Sequence, residues 1–194
     1  MKVVSKVTLG VVSLFSLCSC RGRGTKATKE EFIQAVKEIK TEDKISKAKL
    51  TSNEVKTTGV GSSEIKVTNK SEGEYKKNSS GEWEAASSKN DKTADLMFIT
   101  IYTSVDPKGY TSSINEAFAS NSDGFKETFY IKPLGYDVSY TNDYYGNQTI
   151  TQDNYFEWNN YGYLTCISGT VTVKDKTSNK TAEKTKFEVK ITYR

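Results

Sequence analysis

The feature that most restricts the fold is the alternation of apolar and polar residues in the later part of the chain. In residues 184–193, the residues on one side of a strand are all apolar or aromatic, namely Phe187, Val189, Ile191 and Tyr193. The residues between them are lysine, glutamate and threonine. This period of two is typical of an antiparallel sheet with one face in water. Turn-forming residues divide the region into five expected strands, at 125–131, 136–140, 149–158, 163–173 and 184–193.

The earlier part of the chain mixes helical and strand patterns. Thr28 followed by Glu31 is a capping-box pattern, and the apolar residues after it recur at helical spacing, so we expect an amphipathic helix over 29–40. Its apolar stripe could cover a sheet or cap a ligand cavity. Short polar strands are expected within 45–86, where Trp83 follows a turn and should point inward.

Two further segments are less clear from their pattern. The apolar run 94–103 is compatible with a strand or a helix. Asp106–Gly109 is typical of a turn, and Ser113 with Glu116 predicts a short helix over 113–120. Together the segments predict an α+β fold, in which a curved antiparallel sheet of seven to nine strands packs against two or three helices.

The composition excludes several kinds of chemistry. The chain has no histidine and three cysteines, which excludes histidine-assisted nucleophiles, histidine metal sites and a disulfide framework. Acidic residues at expected turns or strand ends, Asp137, Asp143 and Asp153, are interpreted as solvated. Cys166 in an expected strand is interpreted as a small buried apolar residue. We therefore expect a non-enzymatic protein with no catalytic residues, no cofactor and no metal site.

Tyrosine accounts for 12 of the 22 aromatic residues. Most of the tyrosines lie in or beside the expected strands of the later region, where aromatic residues are favoured. We interpret them as sheet-face and turn residues, and a surface that contacts a protein or glycan is the alternative.

The first twenty residues resemble a bacterial lipoprotein signal. Two lysines precede an apolar stretch, Val7 to Leu17, which is too short to span a bilayer. The stretch ends in Leu17-Cys18-Ser19-Cys20, which resembles a lipobox. The resemblance implies cleavage after Ser19 and a diacylglyceryl thioether on Cys20. Lipidation at Cys18 fits less well because Leu17 would then occupy the position that needs a small residue, and an ordinary cleaved secretory signal is the other alternative.

This interpretation divides the chain into a signal peptide (1–19), a lipidated tether (20–27) and one α+β domain (28–194). The expected location is the extracytoplasmic face of the cell membrane, reached through the lipid on Cys20. Removal of residues 1–19 takes away two lysines and no acid, so the formal charge falls from +4 to +2. Because the remaining charges are interspersed and no nucleic-acid motif is present, nucleic acid is not an expected partner.

Several short motifs resemble those of small, uncharacterised bacterial surface lipoproteins. They are Asn160-Tyr-Gly-Tyr-Leu-Thr165, Gly81-Glu-Trp83 and Phe129-Tyr130-Ile-Lys-Pro133. These proteins are similar in shape to the LolA/LppX-like half-barrel lipoproteins, in which a curved sheet wraps around helices and leaves an apolar hollow for lipid. The resemblance covers roughly residues 28–194 and favours a helix over 94–103.

The sequence is compatible with two functions. The first is a lipoprotein that binds an apolar ligand or lipid in a hollow between sheet and helices. The second is a surface-displayed structural or protein-interaction domain with no ligand cavity, whose partner is an envelope protein.

Overall fold

The computed structural model describes residues 23–40, 45–59, 63–102 and 106–194. Within these ranges the chain forms nine strands and three helices. The helices are α1 (Lys29–Lys37), α2 (Lys92–Tyr102) and α3 (Pro107–Phe118). The strands are β1 (Thr25–Ala27), β2 (Lys47–Thr58), β3 (Ile65–Lys77), β4 (Trp83–Ala85), β5 (Asp123–Ile131), β6 (Leu134–Tyr144), β7 (Gln148–Trp158), β8 (Leu164–Asp175) and β9 (Thr181–Tyr193).

All nine strands belong to one open antiparallel sheet, in the order β1-β5-β6-β7-β8-β9-β2-β3-β4. Strands β5 to β9 follow one another as the expected meander. Strand β9 then pairs with β2, so that Ile191 lies opposite Leu50. The predicted α+β class, with an antiparallel sheet packed against helices, is confirmed.

Because apolar and polar residues alternate along the strands, the sheet has one apolar and one polar face. We call the face that carries the helices the inner face and the opposite one the outer face. Tyr136 of β6 lies between Phe129 and Phe156 of its neighbouring strands, and all three side chains belong to the core on the inner face. The next residue along β6, Asp137, lies on the outer face beside Tyr155.

Aromatic rings fill the interface between the helices and the inner face. Phe32 of α1 has no exposed surface, and its ring centroid lies 5.2 Å from that of Phe129. Phe98 of α2 stacks on Tyr75 at 3.7 Å, and Phe118 of α3 stacks on Tyr140 at 4.1 Å. The apolar stripe of α1 thus covers the sheet as part of the core.

The helices agree with the sequence in two cases out of three. Both hydrogen bonds of the predicted capping box are present: the Glu31 amide donates to Thr28 Oγ1 at 3.1 Å and the Thr28 amide donates to Glu31 Oε2 at 2.7 Å. Helix α1 ends at Lys37, before the predicted residue 40. The helix favoured over 94–103 is confirmed as α2.

The prediction for α3 was wrong at its start. The helix begins at Pro107 and not at Ser113, and Asp106 caps it instead of opening a turn. The Asp106 carboxylate accepts hydrogen bonds from the amides of Lys108 and Gly109 at 3.1 and 3.0 Å. Because the first helical residue needs no amide hydrogen bond, Pro107 is well suited to this position.

Candidate functional site

The predicted lipidation residue Cys20 lies outside the described residues, as does the whole predicted signal peptide. The structure therefore describes only the chain that comes after the predicted anchor, from residue 23 onward. Among the helices that the structure describes, none has the length and apolar character needed to cross a bilayer.

Residues 23–27, which we call the strap, connect the predicted anchor to the domain. The last three of them form β1, where Thr25 pairs with Ile131 and Ala27 with Phe129 of β5. Gly24 passes so close to the β5–β6 turn that an added Cβ atom would lie 2.5 Å from the Ile131 carbonyl oxygen and 2.6 Å from that of Pro133. Only glycine fits there, so the strap follows the edge of the sheet closely.

The first residue of the strap is held on the outer face. Arg23 Nε lies 3.3 Å from Asp137 Oδ2, and the guanidinium carbon lies 5.9 Å from the centre of the Tyr155 ring. The same Asp137 oxygen accepts a hydrogen bond from the Tyr130 hydroxyl at 2.7 Å. Burial raises the pKa of Tyr130 to about 12, and the Asp137 carboxylate shifts it in the same direction. Because Tyr130 stays protonated at neutral pH, it remains a donor to Asp137.

An open groove of about 350 Å³ lies beside this cluster on the outer face. It is lined by polar and charged side chains, among them Arg23, Lys126, Asp137, Asp153 and Ser168. The Asp153 carboxylate accepts a hydrogen bond from the Ser139 hydroxyl at 2.6 Å. Such a surface suits a ligand that exchanges hydrogen bonds and charge with it.

The fold brings two of the acidic residues named from the sequence, Asp137 and Asp153, to the same outer-face groove and leaves Asp143 outside its lining. Asp137 and Asp153 lie within β6 and β7 and not at turns, so their predicted positions were wrong. Asp153 is nevertheless exposed, as the solvated interpretation predicted, whereas Asp137 is half-buried. Asp143 lies close to the end of β6, and its Oδ1 is 2.7 Å from Lys176 Nζ. The Asp143 side chain is largely exposed, as predicted.

Sequence reasoning did not single out Glu157, which is only 8% exposed. Its Oε2 accepts a hydrogen bond from the Tyr155 hydroxyl at 3.2 Å, and its Oε1 accepts one from the Thr165 hydroxyl at 3.3 Å. Burial, and next the Glu157 charge, raise the pKa of Tyr155. The alternation Tyr155-Phe156-Glu157-Trp158 places Glu157 on the outer face, but the sequence carries no signal for its burial.

A second open groove, of about 490 Å³, lies between α1 and the β5–β6 turn. Its floor is more apolar than that of the first groove and includes Ala35, Ile39, Ile131 and Leu134. Charged side chains, such as those of Glu38 and Lys132, also line it. We call it the end groove, because it lies at the end of the sheet where the strap begins.

Cys166 is buried, with 4% of its surface exposed, as the sequence predicted. It is also disulfide-bonded, so the expectation from the cysteine count that the chain uses no disulfide was wrong. The other two cysteines of the chain, Cys18 and Cys20, lie outside the described residues.

Most tyrosines of the later strands are sheet-face residues, as predicted. Tyr130, Tyr136, Tyr140, Tyr155 and Tyr163 are all buried. The β6–β7 turn differs, because Tyr145 is 83% exposed and its ring lies edge-on to that of Tyr144 at 5.2 Å. This pair is the part of the tyrosine set that a partner could contact.

Among the described residues, no group of three or more acidic or cysteine side chains is placed to hold a metal ion. No protein-family model matches the chain, and the search of curated proteins found no match.

Proposed function

We propose that this protein is a non-enzymatic, lipid-anchored domain of the extracytoplasmic membrane face that presents an open binding surface to an envelope protein. The observation that carries this proposal is the ring-filled interface between helices and sheet. Phe32, Tyr136 and Trp158, at the centre of this interface, are among the largest fully buried side chains. The two grooves described above are open to solvent, which favours a surface partner over a molecule enclosed in a hollow.

The strap supports the anchored arrangement. Cys20 precedes Arg23 by three residues, which span at most about 10 Å when fully extended. Because Arg23 is paired with Asp137 on the outer face, a lipid on Cys20 would hold this end of the sheet close to the bilayer. The Tyr144–Tyr145 pair lies at the opposite end of β6 from the β5–β6 turn, where it would be displayed away from the membrane.

The anchor is tested by detergent-phase partitioning of the protein expressed in a bacterial host that processes lipoproteins. Two acyl chains contribute about 0.8 kcal/mol per buried CH₂ group, so the parent protein should enter the detergent phase. We expect Cys20→Ala to remain in the aqueous phase. Cys18→Ala is the matched control and should partition like the parent.

Mass spectrometry of the peptide that contains Cys20 separates the possible outcomes. A diacylglyceryl group on Cys20 supports the proposal. Cys166 is disulfide-bonded in the full-length chain, and its possible partners within this chain are Cys18, which cleavage removes, and Cys20. The proposal therefore requires that Cys20 is not the partner in the processed protein. A Cys20–Cys166 disulfide there would overturn it, because one sulfur atom cannot carry both bonds. Partitioning of Cys20→Ala into the detergent phase would also contradict the proposal.

The end groove favours a second candidate, which is a carrier of an apolar ligand such as a fatty acyl chain. Ala35, Ile39, Ile131 and Leu134 supply its apolar lining, and the resemblance to half-barrel lipoproteins points in the same direction. Native mass spectrometry of protein purified from host membranes should then detect a bound lipid. Ile39→Asp should lose the bound lipid, whereas Ile99→Asp on the exposed side of α2 should keep it. Absence of bound lipid from the parent protein would exclude this candidate.

A further inference from the structure

Strand β3 has an open edge over residues 65–71. On one side it pairs with β2 along its whole length. On the other side, β4 pairs only with residues 75–77, and the segment after β4 bonds to Glu72 and Glu74. Among the described residues, no strand pairs with 65–71 on this side, and residues 65–70 are all exposed.

The backbone hydrogen bonds show which residues point to the open side. The Lys77 amide donates to Ser46 on the β2 side, whereas the Glu72 and Glu74 carbonyl oxygens accept bonds from the other side. The β2–β3 pairing runs without a register shift. Since the direction alternates along a strand, Lys66, Thr68 and Lys70 direct their amide and carbonyl groups to the open edge.

The side chains of this edge are apolar on the inner face and polar or charged on the outer face. Ile65 and Val67 lie on the inner face and are 65% and 47% exposed, which makes them two of the most exposed large apolar residues described. Lys66, Thr68 and Lys70 lie on the outer face, opposite outer-face residues of β2. Unpaired backbone groups beside exposed β-branched residues form a template for the addition of another strand.

We propose that this edge pairs with the same edge of a second copy of the chain, antiparallel, with Val67 opposite Val67. The two symmetric registers on either side of this one also keep inner residues opposite inner residues, and both place like charges together. Centring on Thr68 puts Lys66 opposite Lys70 twice, and centring on Lys66 puts that lysine opposite its own copy. Like charges that face each other across a strand pair are destabilising.

The register centred on Val67 has complementary charges. It places Glu64 opposite Lys70 twice and Lys66 opposite Thr68 twice. The outward-directed residues then form the hydrogen-bonded pairs, and the two Val67 side chains contact each other in a non-hydrogen-bonded pair, where side chains approach most closely. The result is one continuous sheet across both copies. Residues 64–70 carry this proposal without any contribution from the lipid anchor.

Sedimentation of the purified full chain over a range of concentrations tests the association. We expect a monomer–dimer equilibrium that shifts toward dimer as concentration rises. Thr68→Pro removes an outward amide without removing a bond to β2, so this variant should stay monomeric. Thr68→Val keeps the amide and should dimerise like the parent. A parent protein that is monomeric at every concentration overturns the proposal.

A second variant guards against misfolding of the proline variant. Val67→Lys places two lysines opposite each other and leaves the backbone unchanged, so it should also stay monomeric while its circular dichroism matches that of the parent. Dimers that persist in both Thr68→Pro and Val67→Lys would show that another surface associates.

Cross-linking tests the register. Cα atoms of a non-hydrogen-bonded pair lie about 4.5 Å apart, which is within the range of a disulfide. With oxidised glutathione as oxidant, two Val67→Cys thiols lose two protons and two electrons and form one S–S bond, and the glutathione disulfide becomes two thiols. We expect a covalent dimer beyond the parent level for Val67→Cys and none for Ile65→Cys, which would face Asn69. Efficient cross-linking of Ile65→Cys instead would overturn this register.

Discussion

Phe32 shows how strongly single aromatic side chains determine the stability of this molecule. It has no exposed surface and lies between Phe129 of β5 and Trp158 of β7, at centroid distances of 5.2 and 6.3 Å. Through this one ring, α1 is attached to two strands of the sheet. The helical spacing of its sequence predicted that Phe32 faces inward, but its ring partners depend on strand order.

Replacement of Phe32 by alanine should lower the free energy of unfolding by about 3–5 kcal/mol, because it removes a buried ring and leaves a cavity. Urea unfolding followed by circular dichroism measures the change. Leu96→Ala is the control, because Leu96 is 69% exposed, and it should change stability by less than about 0.5 kcal/mol. A similar loss in both variants would contradict the described packing of α1.

The buried position of Tyr110 predicts how the stability of the protein responds to alkaline pH. Its ring lies against Phe156 and Trp158, and burial raises its pKa to about 12, with a smaller contribution from Tyr140. A tyrosine titrates near pH 10 in the unfolded chain. The folded state therefore keeps the proton to higher pH, and the stability from this group is complete below pH 10 and is lost as the pH rises through 12.

We therefore expect the stability of Tyr110→Phe to fall less steeply between pH 10 and 12 than that of the parent. The difference should reach at most ~2–3 kcal/mol, from 1.36 kcal/mol per pKa unit. Urea unfolding at pH 7, 10, 11 and 12 measures it. Parallel curves for parent and variant would show that Tyr110 is not shielded from water.

At the scale of elements, the sequence predicted strands better than helix starts. The alternation in 184–193 and the turn residues between strands were sufficient for the meander, because each strand exposes one polar face. The start of α3 was missed because Asp106-Pro-Lys-Gly109 is compatible both with a turn and with a helix cap, and these share the same side-chain-to-amide hydrogen bonds. The ion pair between Asp137 and Arg23 was missed for a different reason. The two residues come close only because β1 pairs with β5 and β5 pairs with β6, and the sequence does not show this strand order.

The cap of α3 provides a direct test of the two possible starts. Asp106→Ala removes the acceptor for the amides of Lys108 and Gly109 and should cost about 1 kcal/mol. Ser113→Ala should have almost no effect, because the Ser113 hydroxyl only donates to the Gly109 carbonyl oxygen within the helix. Chemical denaturation of both variants distinguishes the starts, and a larger loss in Ser113→Ala would favour a helix that begins at Ser113.

At the scale of the whole molecule, the strap determines how the domain is connected to whatever precedes it. The sequence predicted a tether with two glycines, and the structure shows why one of them is required. Gly24 lies against two carbonyl oxygens of the β5–β6 turn, a contact between residues more than a hundred positions apart. No local pattern could have predicted it.

Gly24→Val should detach β1 from β5, because backbone atoms block the added side chain. Detachment exposes Lys26 to trypsin, so loss of the amino-terminal residues should be faster than in the parent, while the rest of the domain stays folded. Mass spectrometry of timed digests gives the rate. Thr25→Val adds no atom at the close contact and should be cut like the parent. Equal rates of tryptic cleavage for Gly24→Val and the parent would show that the strap is not held against β5.

Strand β9 lies between β8 and β2, in the interior of a sheet whose other eight strands all precede it in the sequence. Before β9 is made, the strands can form only two separate groups, β2 to β4 and β1 with β5 to β8. Each group leaves one strand unpaired on the side that β9 later occupies. They become one sheet when residues 181–193 emerge and join them. When a ribosome or an export channel releases the chain amino end first, the sheet therefore stays incomplete until residues 181–193 have emerged.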